Sequence, residues 1–65
     1  MNKFEQQRRK MNISKKRLCK DADVHKDTYN NLIEEIDIYY TDFLRILQVL
    51  KGHVINGEVC FITYK

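Results

Sequence analysis

The sequence predicts a mainly α-helical domain: four helices closed by a C-terminal β-hairpin or strand. Three observations carry this. Proline is absent and the only glycines are Gly52 and Gly57, so residues 1–51 hold none of the strong helix breakers. Residues 14–33 contain two short amphipathic segments separated by a tight polar turn, the first of them heavily basic. Near the end, Asn56-Gly57 stands between two β-prone pieces, the strongest short-range hairpin signal.

Each element has a local reason. Helix 1 is expected over residues 3–11, with Phe4, Arg8 and Met11 on one face and Asn12 ending it. Ser14 is a natural N-cap for helix 2, over 15–21, whose Leu18 and Ala22 face inward. The basic Arg17 stands where a capping box would have Glu or Gln, which makes sense beside phosphates. Residues 21–24 form the turn. Helix 3 is expected over Lys26–Ile33, capped by His25, with Tyr29, Leu32 and Ile33 as its apolar stripe and Asp27 near the positive end of its dipole. Residues 36–40 are β-branched and aromatic, an extended linker expected to pack on the core. Thr41 is expected to cap helix 4 over 42–51, with Phe43, Ile46, Leu47 and Leu50 buried and Gly52 closing it in the left-handed conformation. In the last thirteen residues Val59, Phe61 and Thr63 alternate with Cys60, Ile62 and Tyr64, and both faces are largely apolar. Such a strand is buried or paired with another chain. Val59, Phe61 and Ile62 are therefore candidates for a homodimer seam.

Length and composition bound the rest. With 65 residues the chain makes one domain, divided here into residues 1–52 and a β-prone tail over 53–65. A core this small is marginal alone, and dimerisation or ligand binding would add to its stability. Hydrophobic residues make up 43% of the chain, too many for a disordered tail. The apolar runs are too short to span a membrane, and the N-terminus lacks the apolar region of a secretory signal, so the expected location is cytoplasmic. Cys19 and Cys60 lie far apart without metal-ligand spacing and are expected to be reduced and buried.

The net charge of +3 hides an asymmetry. Residues 1–20 carry eight basic residues and one acid, a net of +7, while residues 21–65 carry a net of −4. A cationic end opposite an acidic one orients a protein toward a polyanion. Two short helices with a tight turn between them, the first basic, have the layout of a helix-turn-helix, in which one helix braces the DNA backbone and the next enters the major groove.

At this point the chain resembles the phage Cro and repressor helix-turn-helix proteins, the XRE-like family. The likeness covers residues 4 to about 50 and rests on Arg8, Ile13-Ser14, Leu18-Cys19, the turn ending in Val24, Thr28-Tyr29 and Leu32. Asp23 stands where the family places a left-handed glycine, His25 where it prefers a Ser or Thr cap, and Glu34-Glu35 where it has Glu-x-Gly. The resemblance implies that Arg8 pairs with a glutamate near the end of helix 3, Glu34 or Glu35. It implies base contacts from Lys26, Asp27, Asn30 and Asn31, with Lys donating to guanine, Asn pairing with adenine and Asp accepting from cytosine. Phosphates would be held by Ser14, Lys15, Lys16, Arg17 and His25, with further backbone contacts from Arg8, Arg9, Lys10 and Lys20.

The expected function is therefore sequence-specific double-stranded DNA binding by a homodimeric transcriptional regulator, a repressor of a phage or mobile-element promoter. Two alternatives share the scaffold: a protein-interaction module such as an antitoxin or inhibitor, and an excisionase-like architectural DNA binder. Catalysis is not expected. His25 and His53 are isolated, the acids Glu34, Glu35 and Asp37 form a local run, and no glycine-rich phosphate loop exists. Neither metal nor cofactor is expected, and no small-molecule substrate is evident.

Overall fold

The computed structural model describes residues 3–61. Four helices, α1 (Lys3–Lys10), α2 (Lys15–Ala22), α3 (Lys26–Ile33) and α4 (Tyr40–Val49), precede a two-stranded antiparallel hairpin, β1 (Gly52–Ile55) and β2 (Glu58–Phe61). The domain is mainly helical, as the sequence predicts.

Three helices end in the same way without a glycine. Asn12, Asp23 and Glu35 adopt left-handed backbones with φ of 58°, 57° and 62°. After each, two amides turn back onto the helix. Asp23 N–H donates to Lys20 O at 3.2 Å and Val24 N–H to Cys19 O at 3.0 Å; Glu35 N–H donates to Leu32 O and Ile36 N–H to Asn31 O; Asn12 N–H donates to Arg9 O and Ile13 N–H to Arg8 O. This is the Schellman arrangement, which satisfies the last carbonyls of a helix. The residue that follows is apolar each time, and Ile13 and Val24 pack against the core.

The helix starts are also set locally. Ser14 Oγ accepts from Arg17 N–H at 3.1 Å, and His25 Nδ1 accepts from Asp27 N–H at 3.1 Å. The start and end of α4 differ from expectation. Thr41 is not its cap: the helix begins at Tyr40, with Tyr39 in the cap position and no side-chain cap bond. The earlier start lets the Tyr40 ring stack on Phe43, centroids 6.1 Å apart, and places Asp42 in the first turn. Gly52 does not close the helix either. Lys51 takes the left-handed position, with φ of 61°. Gly52 is needed for space: a Cβ there would lie 2.5 Å from Leu47 Cδ1 and 2.9 Å from the Phe61 ring.

Asn56 and Gly57, with φ of 52° and 79°, make the two-residue hairpin turn. The register pairs Gly52 with Phe61, His53 with Cys60, Val54 with Val59, and Ile55 with Glu58. Phe61 packs edge-on to Phe4 at 5.6 Å, so the hairpin closes over α1 and the end of α4. The core is Phe4, Leu18, Cys19, Ala22, Tyr29, Ile46, Leu47 and Leu50, with Phe43 and Ile38 partly buried at its margin. The linker packs less than expected: Ile38 touches the core, while Ile36 and Tyr39 are exposed. Cys19 is buried, but Cys60 is exposed because β2 turns Val59 and Phe61 inward and Cys60 outward.

Candidate nucleic-acid interface

The short connection Asp23-Val24-His25 brings α3 back beside α2, and a buried polar network holds the pair against α1. Glu5 lies at its centre. Arg8 grips the Glu5 carboxylate with Nε and Nη2, each 2.9 Å away, and its Nη1 donates to Ile13 O at 2.7 Å. The Tyr29 hydroxyl, on α3, donates to Glu5 Oε1 at 2.6 Å. Arg8 therefore does not pair with Glu34 or Glu35. A partner three residues away on its own helix is nearer, and the exposed Glu34 and Glu35 lie beyond the core edge of α3. The network fixes the turn before α2 and the roll of α3 together.

Its electrostatics follow. The Arg8 guanidinium holds the Glu5 carboxyl down at about 2, with the Tyr29 hydroxyl adding to the effect against the opposing pull of burial. Burial pushes the Tyr29 phenol well above its ordinary value, and its bond to the Glu5 carboxylate adds to this. Burial also raises the Cys19 thiol, against a smaller opposing influence from Lys15. On the far side of α1, Gln7 Nε2 donates to Leu50 O at 3.0 Å, closing the end of α4.

The α2–α3 pair presents the candidate binding residues unevenly. Lys15, Lys16 and Lys26 are exposed, and with the half-buried Asn30 they line an open groove above the buried Cys19 and Tyr29. Asn31 lies on the other flank of α3. It shares a second cavity, about 440 Å³, with Thr28, Asp37, Ile38, Tyr39 and Asp42. Asp27 is exposed between these flanks. The four expected base-reading residues thus occupy one arc of α3, Lys26 and Asp27 exposed and Asn30 and Asn31 half-buried, with a basic margin on the α2 side and an acidic, aromatic margin on the linker side.

The other candidates are placed as follows. Ser14 is exposed, with its oxygen committed to the cap. Arg17 is exposed, but its Nε is held by the Asp21 carboxylate at 3.0 and 3.2 Å, which offsets its charge. His25 Nδ1 accepts a backbone N–H and so carries no proton there. Its 3.4 Å approach to Asp27 Oδ2 is then no ion pair, and Nε2–H is the ring's donor. Arg9, Lys10 and Lys20 are exposed. Arg8 is not a surface contact: its side chain is 14% exposed and its guanidinium is engaged by Glu5 and Ile13. Val59 and Phe61 pack on the chain's own core, and Ile62 lies outside the described residues.

Sequence reasoning missed the site roles of Glu5, Gln7 and Tyr39. The Glu5–Arg8 spacing of three was a usable signal for an ion pair on one helix. Nothing in the spacing of Gln7 or Tyr39 marks them. Among the described residues, no three His, Cys, Asp or Glu side chains are grouped to hold a metal, and no helix is long and apolar enough to cross a membrane. Compared with known protein families, characterised proteins and solved structures, the chain matches none.

Proposed function

We propose that the chain is a sequence-specific double-stranded DNA-binding regulator, a cytoplasmic repressor that enters the major groove with α3 as a homodimer on a pseudo-palindromic operator. The observation that carries this reading is the α2–α3 pair. Two eight-residue helices are joined by Asp23-Val24-His25 with Asp23 left-handed, and one arc of the second bears the exposed Lys26 and Asp27 and the half-buried Asn30 and Asn31 beside the basic start of the first. Lys26 would donate to guanine O6 and N7, Asn30 and Asn31 would pair with adenine edges, and Asp27 would accept from cytosine N4. Lys15, Lys16 and the His25 Nε2–H would hold phosphates, aided by the N-terminus of α2. Arg8 acts inside the domain, positioning α3 through Glu5 and Tyr29. Since Val59 and Phe61 face inward, the apolar surface that the described hairpin offers a second copy is Val54 and Ile55.

One observation favours the protein-interaction reading. Ile36, Tyr39 and Tyr40 are 52%, 81% and 67% exposed, next in sequence to the acids Glu34, Glu35 and Asp37. Large exposed apolar groups of this kind mark partner surfaces. Salt separates the readings: DNA affinity falls steeply with salt in proportion to the phosphates contacted, while an apolar contact does not weaken.

The test is a pair of variants on the selected duplex. Asn31→Ala is expected to cost about 1–3 kcal/mol at one base position and to leave non-specific binding intact, whereas Lys15→Ala weakens all sequences alike and lowers the salt slope by about one. Equal loss on every sequence for Asn31→Ala would remove it as a base reader.

A further inference from the structure

We propose that the linker flank of α3 docks a basic polypeptide segment, with a lysine or arginine of the partner seated beside Asp37 and Asp42 on the Tyr39 ring and an aliphatic neighbour against Ile36 and Tyr40. The docking does not rest on the DNA reading above; it gives the exposed aromatic side of the linker a partner of defined chemistry.

Apolar exposure marks the surface. Ile36, Tyr39, Tyr40 and Leu44 are four of the six large hydrophobic side chains exposed among the described residues, and they lie in one stretch of chain. Tyr40 and Leu44 stand one turn apart on α4, so the apolar strip of the linker runs on along that helix. Tyr39 holds the N-cap position without a side-chain cap bond. Apolar groups gathered in this way mark protein contact surfaces.

Charge decides what covers it. Residues 27–44 hold Asp27, Glu34, Glu35, Asp37 and Asp42 and no lysine, arginine or histidine. Among the described residues Glu34, Glu35 and Asp37 have no cation within ion-pair distance, and Asp42 has Arg45 of its own helix at 3.7 Å, both side chains part-exposed. These carboxylates repel a nucleic-acid or anionic lipid surface and attract a cation. Asp37 and Asp42 line an open cavity of about 440 Å³ with Thr28, Asn31, Ile38 and Tyr39. None of the six is buried, so the seat is reached from solvent. An ammonium or guanidinium there meets carboxylate oxygens and the face of the Tyr39 ring, which attracts cations. A free polyamine uses the carboxylates alone, whereas a polypeptide also covers Ile36 and Tyr40.

The experiment is an NMR titration of the ¹⁵N-labelled full chain with a short peptide of arginine and leucine, blocked at both ends, and separately with its glutamate–leucine counterpart and with spermidine. Expected are saturable shifts at the amides of Asn31, Asp37, Ile38, Tyr39 and Asp42, with half-saturation on the order of 100 μM. The glutamate peptide should give no saturable shift. Spermidine should bind about tenfold more weakly than the arginine peptide, because it brings charge without apolar contact. Asp37→Asn and Tyr39→Ala, both at exposed positions, should keep the fold's spectrum and each lose about fivefold to tenfold in affinity. Shifts centred on α1 or α2, equal affinity for spermidine and the peptide, or unchanged affinity in both variants would overturn the proposal. The duplex titration is run apart from the peptide, which itself binds DNA. Peptide binding without duplex binding keeps the docking surface and overturns the DNA reading. Duplex binding without a saturable peptide response does the reverse.

Discussion

Tyr29→Phe removes one oxygen from the centre of the molecule and keeps the ring that packs there. The lost bond is short, 2.6 Å, fully buried, and donated to an ionised carboxylate. Hydrogen bonds to charged groups contribute about 1.5–3 kcal/mol. The Glu5 carboxylate is not orphaned by the change, because Arg8 still reaches both of its oxygens at 2.9 Å. The loss therefore falls near the lower end, about 1.5–2 kcal/mol. For a domain of this size, whose total stability is of the order of 3–10 kcal/mol, that is a large share. Urea unfolding at neutral pH is the assay: with a slope of about 1 kcal/mol/M, the midpoint drops by about 1.5–2 M. A loss under about 0.5 kcal/mol, with unchanged slope, would refute the claim that this hydroxyl locks α3 to α1.

Four more changes have expected outcomes. Glu5 sits at about 2 in the folded chain against 4.5 unfolded, so its contribution is present above pH 4.5 and is lost as pH falls toward 2; an acid titration should lose about 3 kcal/mol across that window, and Glu5→Gln should flatten it. Tyr29, raised above its unfolded value of 10.0, works the other way: its contribution is complete below pH 10 and declines as pH rises beyond it, which Tyr29→Phe should abolish in an alkaline unfolding series. Gly52→Ala puts a methyl 2.5 Å from Leu47 Cδ1 and should destabilise by about 1–3 kcal/mol, whereas Glu35→Gly relieves a left-handed backbone on an exposed residue and should stabilise by about 1 kcal/mol, both read from thermal melts.

Much of the helical scaffold was legible because its signals are local. Ser14 and His25 act within three residues of themselves, and the bounds of α3 follow from its cap and stripe. Asp23 and the Asn56-Gly57 turn adopt the left-handed backbones that their side chains tolerate. What was not legible depends on contacts distant in sequence. The buried Gln7 is explained only by Leu50, and the burial of the Glu5–Arg8 pair depends on Tyr29, twenty-four residues on from Glu5. Thr41 was a sound cap by composition, but ring stacking of Tyr40 on Phe43 favours an earlier start. Gly52 looked like a helix stop, yet its role is to admit Leu47 and Phe61, which no neighbouring residue announces. Of the candidate site, the residue types on α3 were readable. Its division into a lysine-rimmed flank with Asn30 and a flank where Asn31 meets Asp37, Tyr39 and Asp42 was not, because the linker had to be placed first.

The central claim, that α3 reads DNA, is tested most directly by titrating the full chain against a random duplex pool at two salt concentrations and sequencing what is retained. The account predicts enrichment of a short palindrome, with affinity falling steeply as salt rises. No retention at low salt would contradict it and move the function to the exposed aromatic side of the linker.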